Sequence, residues 1–99
     1  KVFITNIGAD YETPNFRASD YINLAYKFLN HNSNYKINYF FDVNFVNSSN
    51  TQKSSYVKVD KANLEKTNVP FNLSKYEKNN TGCHDGIKIR NEILQLLKK

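Results

Sequence analysis

Cys83, His84 and Asp85 are the residues of this chain best suited to chemistry: a thiol, an imidazole and a carboxylate in succession. A nucleophile needs its base at hydrogen-bond distance, and adjacent side chains on a loop do not converge that way without help from elsewhere. His31 is the only other histidine and Cys83 the only cysteine. A zinc site would therefore need two more ligands from distant parts of the chain. The spacing matches no metal-ligand pattern, and a plain polar loop is the expectation. The single cysteine also excludes an internal disulfide, a thiolate cluster and a C-x-x-C redox pair. Gly8, Gly82 and Gly86 lack the spacing of a phosphate-binding loop. The acidic residues show no pairing that sequence alone can place for acid–base work. The reading is a protein that is not an enzyme, with no catalytic residue, no metal ligand and no cofactor.

Charge is the other source of function. Fourteen Lys and Arg against nine Asp and Glu give a net charge of +5 and a pI near 9.3. Such a balance suits an acidic partner, nucleic acid or an anionic surface, although solubility accounts for it as well. Lys53, Lys58, Lys61, Lys66, Lys75 and Lys78 all fall in the second half. Phosphate contacts need such reach and charge but no motif. The bland alternative is a set of solvated lysines. A sharper reading starts from Val2-Phe3-Ile4-Thr5-Asn6-Ile7, which resembles the first strand of an RNA-recognition domain, where an aromatic side chain stacks a base. The partner motif asks for a basic residue, a glycine and spaced aromatics. Residues 55–60 offer only Tyr56 and no glycine.

These residues must be positioned by elements legible in the pattern. Ninety-nine residues make one domain, 1–99, with room for about one sheet and two helices. No apolar run is long enough to span a membrane. The glycosylation acceptors at Asn47, Asn72 and Asn79 are expected by chance in so asparagine-rich a chain, and a reducing intracellular compartment is expected. The chain starts at Lys1, so either a leader was removed or the segment begins inside a longer protein.

Residues 36–46, K-I-N-Y-F-F-D-V-N-F-V, alternate apolar and polar as far as Phe45 except at Phe40, the signature of a central strand with one buried face. Val2 to Ile7 reads as a buried strand. Thr13-Pro14 suits a helix start, and the segment to about His31 carries Ala18, Ile22, Ala25 and Leu29 on one face, with Tyr21, Leu24 and Phe28 beside them. Asn47 to Ser55 reads as a loop. Tyr56 to Lys61 and Leu64 to Val69 read as a hairpin stopped by Pro70, and Phe71 to His84 as a second long loop. Asp85 caps a last helix from Ile87 to about Lys98, with Ile89, Ile93, Leu96 and Leu97 as its apolar face. The order is strand, helix, strand, strand, strand, helix. The first strand–helix–strand passage implies a parallel pair and the hairpin adds antiparallel strands. The expected fold is therefore α/β, with two helices packed on a four-stranded mixed sheet.

Asn15-Phe16-Arg17-Ala18-Ser19-Asp20-Tyr21-Ile22, the asparagine-containing turn at 30–35, the hairpin at 56–69 and its end at Glu65-Lys66-Thr67-Asn68-Val69-Pro70 together resemble the thioredoxin-like family of mitochondrial ribosomal proteins. That family also includes a small accessory subunit of respiratory complex I, and the large-subunit type numbered fifty-three is the nearest subgroup. The resemblance implies a thioredoxin-like scaffold in the mitochondrial matrix, a structural constituent of the ribosome docked on ribosomal RNA and neighbouring ribosomal proteins, with no small-molecule substrate and no membrane insertion. The candidate RNA-contacting set is then Arg17, Lys53, Lys58, Lys61, Lys66, Lys75 and Lys78. The alternatives are a single-stranded RNA-recognition module and an accessory subunit of a respiratory complex.

Overall fold

The computed structural model describes residues 1–8, 16–48, 56–78 and 83–98. Strands β1 (Val2–Ile4), β2 (Val43–Asn47) and β3 (Phe71–Ser74) lie in the order β1-β2-β3, and both pairings are parallel. Helices α1 (Ala18–Leu29), α2 (Ile37–Phe40), α3 (Lys61–Glu65) and α4 (Gly86–Leu97) complete a small α/β protein. Phe3 stands opposite Asn44, and Asn44 opposite Phe71, which fixes the register across all three strands.

Side-chain alternation sorts these strands into two faces. Phe3, Val46, Phe71 and Leu73 belong to one side, where they meet Ile22 and Ala18 of α1, Ile37 and Phe41 around α2, and Leu64 of α3. Val2, Ile4, Val43 and Phe45 point to the other, where they meet Ile89, Ile93 and Leu96 of α4 together with Tyr76. β2 is therefore buried along its whole length, as the middle strand of a parallel sheet must be when helices cover both faces. Its Asn44 sits in the apolar layer and accepts a 2.8 Å hydrogen bond from the Thr5 hydroxyl. The Phe45 and Tyr76 rings stack 5.2 Å apart.

The expected strand over 36–46 divides in two. Phe40 breaks the alternation, and Ile37, Phe40 and Phe41 then recur at helical spacing. That spacing lets α2 turn Ile37 inward beside Ile22 while Tyr39 stays exposed. Strand geometry starts only at Val43.

The expected hairpin does not form. Lys61–Glu65 winds into α3, whose residues are mostly good helix formers. Asn68, at φ 64°, follows it, and Pro70 opens β3 instead of ending a strand. The Pro70 carbonyl accepts from the Asn44 N–H at 2.8 Å, and its missing N–H is tolerated because β3 is an edge strand. Phe71 and Leu73, within what reads as a polar loop, supply the third strand. Among the described residues the sheet is thus three-stranded and all parallel, not four-stranded and mixed, and four helices stand where two are expected.

The last helix lies close to its expected span, whereas α1 starts at Ala18, with extended Arg17 as its N-cap, rather than at Thr13-Pro14. Thr13 and Pro14 fall outside the described residues. The apolar stripe of α1 is narrower than expected: Ala18 and Ile22 are buried, but Leu24, Phe28 and Leu29 are exposed. In α4, Ile89, Ile93 and Leu96 pack as expected, whereas Leu97 is exposed.

Phe45 is fully buried at the centre of this arrangement. Phe45→Ala is expected to cost about 3–5 kcal/mol in urea denaturation. Phe28→Ser, at a position 83% exposed, is expected to stay within about 0.5 kcal/mol of the parent.

Candidate nucleic-acid interface

A parallel sheet brings the carboxyl ends of all its strands to one edge, and in open α/β sheets that edge is the usual place for a ligand. Here β1 runs out into Thr5 to Gly8, β2 into Ser48, and β3 into Lys75 to Lys78. Backbone hydrogen bonds tie the neighbouring segments to that edge. Val57 N–H donates to Ile7 O at 2.8 Å, Ala18 N–H to Lys58 O at 2.8 Å, and Asp85 N–H to Tyr76 O at 2.6 Å. Isolated bridges join Gly8 to Tyr56, Arg17 to Lys58 and Glu77 to His84.

These ties place most of the sequence-predicted cations together. Arg17 and Lys58 are bridge partners, both exposed, and Lys61 follows at the start of α3. Lys75 and Lys78 are exposed on either side of the buried Tyr76 and Glu77. Lys66 is separated from this group, because α3 carries it to the opposite edge, where the chain turns into β3. Lys53 lies outside the described residues. Lys58, Lys61 and Lys75 form no ion pair among the described residues.

Four acidic groups of this edge are engaged by local structure. Asp60 accepts from the Ser19 N–H at 3.0 Å and from the Ser19 hydroxyl, so a carboxylate of the protein itself occupies the start of α1. Asp20 accepts from the Arg17 N–H at 2.8 Å. Asp85 accepts from the N–H groups of Ile87 and Lys88 at 3.0 and 3.4 Å and so caps α4. The N–H groups and positive dipole end that would hold a phosphate at a helix start are therefore engaged by Asp60 and Asp85. Glu77 is 0% exposed and accepts a hydrogen bond from the Tyr56 hydroxyl. That bond to the carboxylate, with burial second, raises the Tyr56 phenol above its ordinary range.

The tempting triplet is spread apart by the same packing. Cys83 is exposed, His84 places Nε2 2.9 Å from Thr5 O, and Asp85 is spent on its helix. His31 lies beside Leu24, Lys27 and Phe28 on the outer side of α1. Lys88 stands outside the sequence-predicted set, yet its Nζ donates to Glu77 O at 3.2 Å and so fastens α4 to the end of β3. Nothing in the sequence marks it, because the contact depends on β3, whose residues read as loop.

Tyr76, between the two exposed lysines, has a buried hydroxyl without a hydrogen-bond partner among the described residues. Burial first, and the Glu92 carboxylate second, push its phenol up to about 12. The folded state thus keeps this proton when the unfolded chain, ionising near 10.0, has begun to lose it. The resulting stabilisation is complete below the unfolded value and disappears as pH climbs through the folded one. Tyr76→Phe is expected to match or exceed the parent by about 1 kcal/mol at neutral pH, because an unsatisfied buried hydroxyl is removed. Urea midpoints measured from neutral pH up to about 12 should fall less steeply for the variant than for the parent.

Compared with protein-family models, with curated proteins and with solved structures, the chain matches none.

Proposed function

We propose that the protein is a structural, RNA-contacting component of a ribonucleoprotein particle and carries out no reaction of its own. One observation carries this reading. Arg17, Lys58, Lys61, Lys75 and Lys78 are gathered on the carboxyl edge of the sheet, while Asp60 and Asp85 engage the starts of the two long helices. A small phosphate ligand is typically held by helix N–H groups at such an edge. With those groups occupied, the remaining cationic reach is long, exposed and spread out. That arrangement suits the repeated phosphates of a polymer, contacted for position rather than for sequence.

In its narrowest form the reading is a scaffold of the large subunit of the mitochondrial ribosome, in the matrix, docked on ribosomal RNA and neighbouring proteins. The resemblance of residues 15–22, 30–35 and 65–70 to the thioredoxin-like ribosomal family supports that form. The passage β1-α1-β2 agrees with it, whereas α3 stands where that family's hairpin is expected. A free RNA-recognition module would stack bases on an open sheet face. Here Phe3 packs edge-on against Phe41 with ring centres 5.2 Å apart, and helices pack on both faces. An accessory subunit bound only to protein is the second reading, favoured by Leu24 and Phe28, which stand 48% and 83% exposed on α1.

The RNA reading is tested by fluorescence titration with structured RNA across a salt series. The Lys58→Glu, Lys61→Glu double variant should bind all sequences more weakly. Its slope of log affinity against log salt should be shallower by roughly 0.7–0.9 for each phosphate no longer neutralised. Lys66→Glu, at the opposite edge, should leave the slope unchanged. Equal effects of both variants, or no measurable RNA binding by the parent at low salt, would contradict the proposal. In that case a Leu24→Ser, Phe28→Ser variant that fails to co-sediment with a respiratory complex would favour the second reading.

A further inference from the structure

At the edge of the sheet away from these cations, α1, the start of α2 and the turn between α3 and β3 enclose a groove of about 610 Å³. Asn23 contributes from α1, Lys36 and Asn38 from the start of α2, and Lys66 and Asn68 from the turn. Among the described residues no carboxylate lines it. Two lysines from separate elements thus line one concavity, and neither side chain has an ion-pair or hydrogen-bond partner among the described residues. Between them, Ile37 and Thr67 carry the burial, while both lysines remain exposed.

The turn that presents Lys66 and Asn68 is held in shape. The Thr67 hydroxyl donates to Leu64 O at 2.7 Å and accepts from the Val69 N–H at 3.4 Å. Asn68 adopts φ 64°, the left-handed region that a residue other than glycine occupies at a cost. Asparagine is among the residues other than glycine that take this conformation most readily, and here it lines the groove. On the far wall the Tyr26 hydroxyl donates to Tyr35 O at 2.6 Å, which ties α1 to the segment before α2.

We propose that this groove binds a small phosphorylated ligand, a phosphate monoester on a hydroxylated skeleton. Lys36 and Lys66 take the phosphate, as the cations that line the groove. The carboxamides of Asn23, Asn38 and Asn68 both donate and accept, which matches hydroxyl groups. The volume falls within the range of small-molecule sites. The same chemistry is offered by a free sugar phosphate and by a nucleotide with a 5′-phosphate. This inference does not depend on the RNA reading, since it uses the other edge.

The test is an amide NMR titration of the whole protein at constant ionic strength with ribose 5-phosphate, adenosine 5′-monophosphate, ribose and inorganic phosphate. Ribose 5-phosphate should give saturable shifts at Ile37, Asn38, Thr67 and Asn68, and ribose none. Lys36→Gln and Lys66→Gln should each weaken binding about tenfold, as expected when one charge-assisted hydrogen bond is removed, with an unchanged melting temperature. Asn68→Gly keeps the left-handed turn and should weaken binding severalfold. Lys58→Glu with Lys61→Glu should leave it unaltered, which separates this site from the RNA edge. Tighter binding of the adenosine ester supports the nucleotide as source, and equal or weaker binding supports the sugar phosphate. Shifts spread without saturation over all lysine-bearing surfaces, unchanged affinity in both glutamine variants, or inorganic phosphate bound as tightly as the ester would overturn the proposal.

Discussion

The rest of the structure depends on the burial of one strand. Every residue of β2, from Val43 to Asn47, is buried. A strand so placed must find hydrogen bonds on both edges and apolar cover on both faces, and each other element answers one of those demands. β1 and β3 take the edges; α1, α2 and α3 cover one face, and α4 covers the other. Because both pairings are parallel, helical and loop segments have to carry the chain back between strands. That return sets all three carboxyl ends at one edge and brings the starts of α1 and α4 beside them.

Electrostatics at that edge follow from the same geometry. Helix starts crowd there with their N–H groups and positive dipole ends, and the protein meets them with Asp60 and Asp85. Glu77 is drawn inside and held by Tyr56, and its backbone carbonyl receives Lys88. With three carboxylates held by local structure, the described side chains exposed at this edge include Arg17, Lys58, Lys61, Lys75 and Lys78. Exposed lysines thus stand beside locally engaged carboxylates at the place where parallel sheets offer a binding surface.

How far the sequence is legible depends on how local each determinant is. The Asp85 cap acts on N–H groups two and three residues away, so it marks the start of α4 directly. Ile22 and Ile89 are visible because helical spacing repeats on each long helix. The parallel β1–β2 pair can be read from a strand, a helix and a strand in succession. Phe71 and Leu73 are not readable as a strand: two alternating apolar residues carry little signal, and their burial depends on Val46 and Leu64, the first of them distant in sequence. The segment 61–65 is ambiguous between strand and helix, and with β3 at 71–74 a helix is needed to reach it. For the candidate surface, lysine identity is legible but co-location is not. Lys58 and Lys66 look equivalent in sequence, and only the direction of α3 separates them. Asp60 is invisible as the occupant of the start of α1, because the contact spans 41 positions.

Folding divides the lysines into a group on the carboxyl edge, proposed to face RNA, and the rest. Amine acylation with and without saturating structured RNA, read by mass spectrometry at each lysine, tests this division without altering the protein. Protection is expected at Lys58, Lys61, Lys75 and Lys78, with Lys66 and Lys98 modified equally in both states. Uniform protection of all lysines, or protection centred on Lys36 and Lys66, would contradict it.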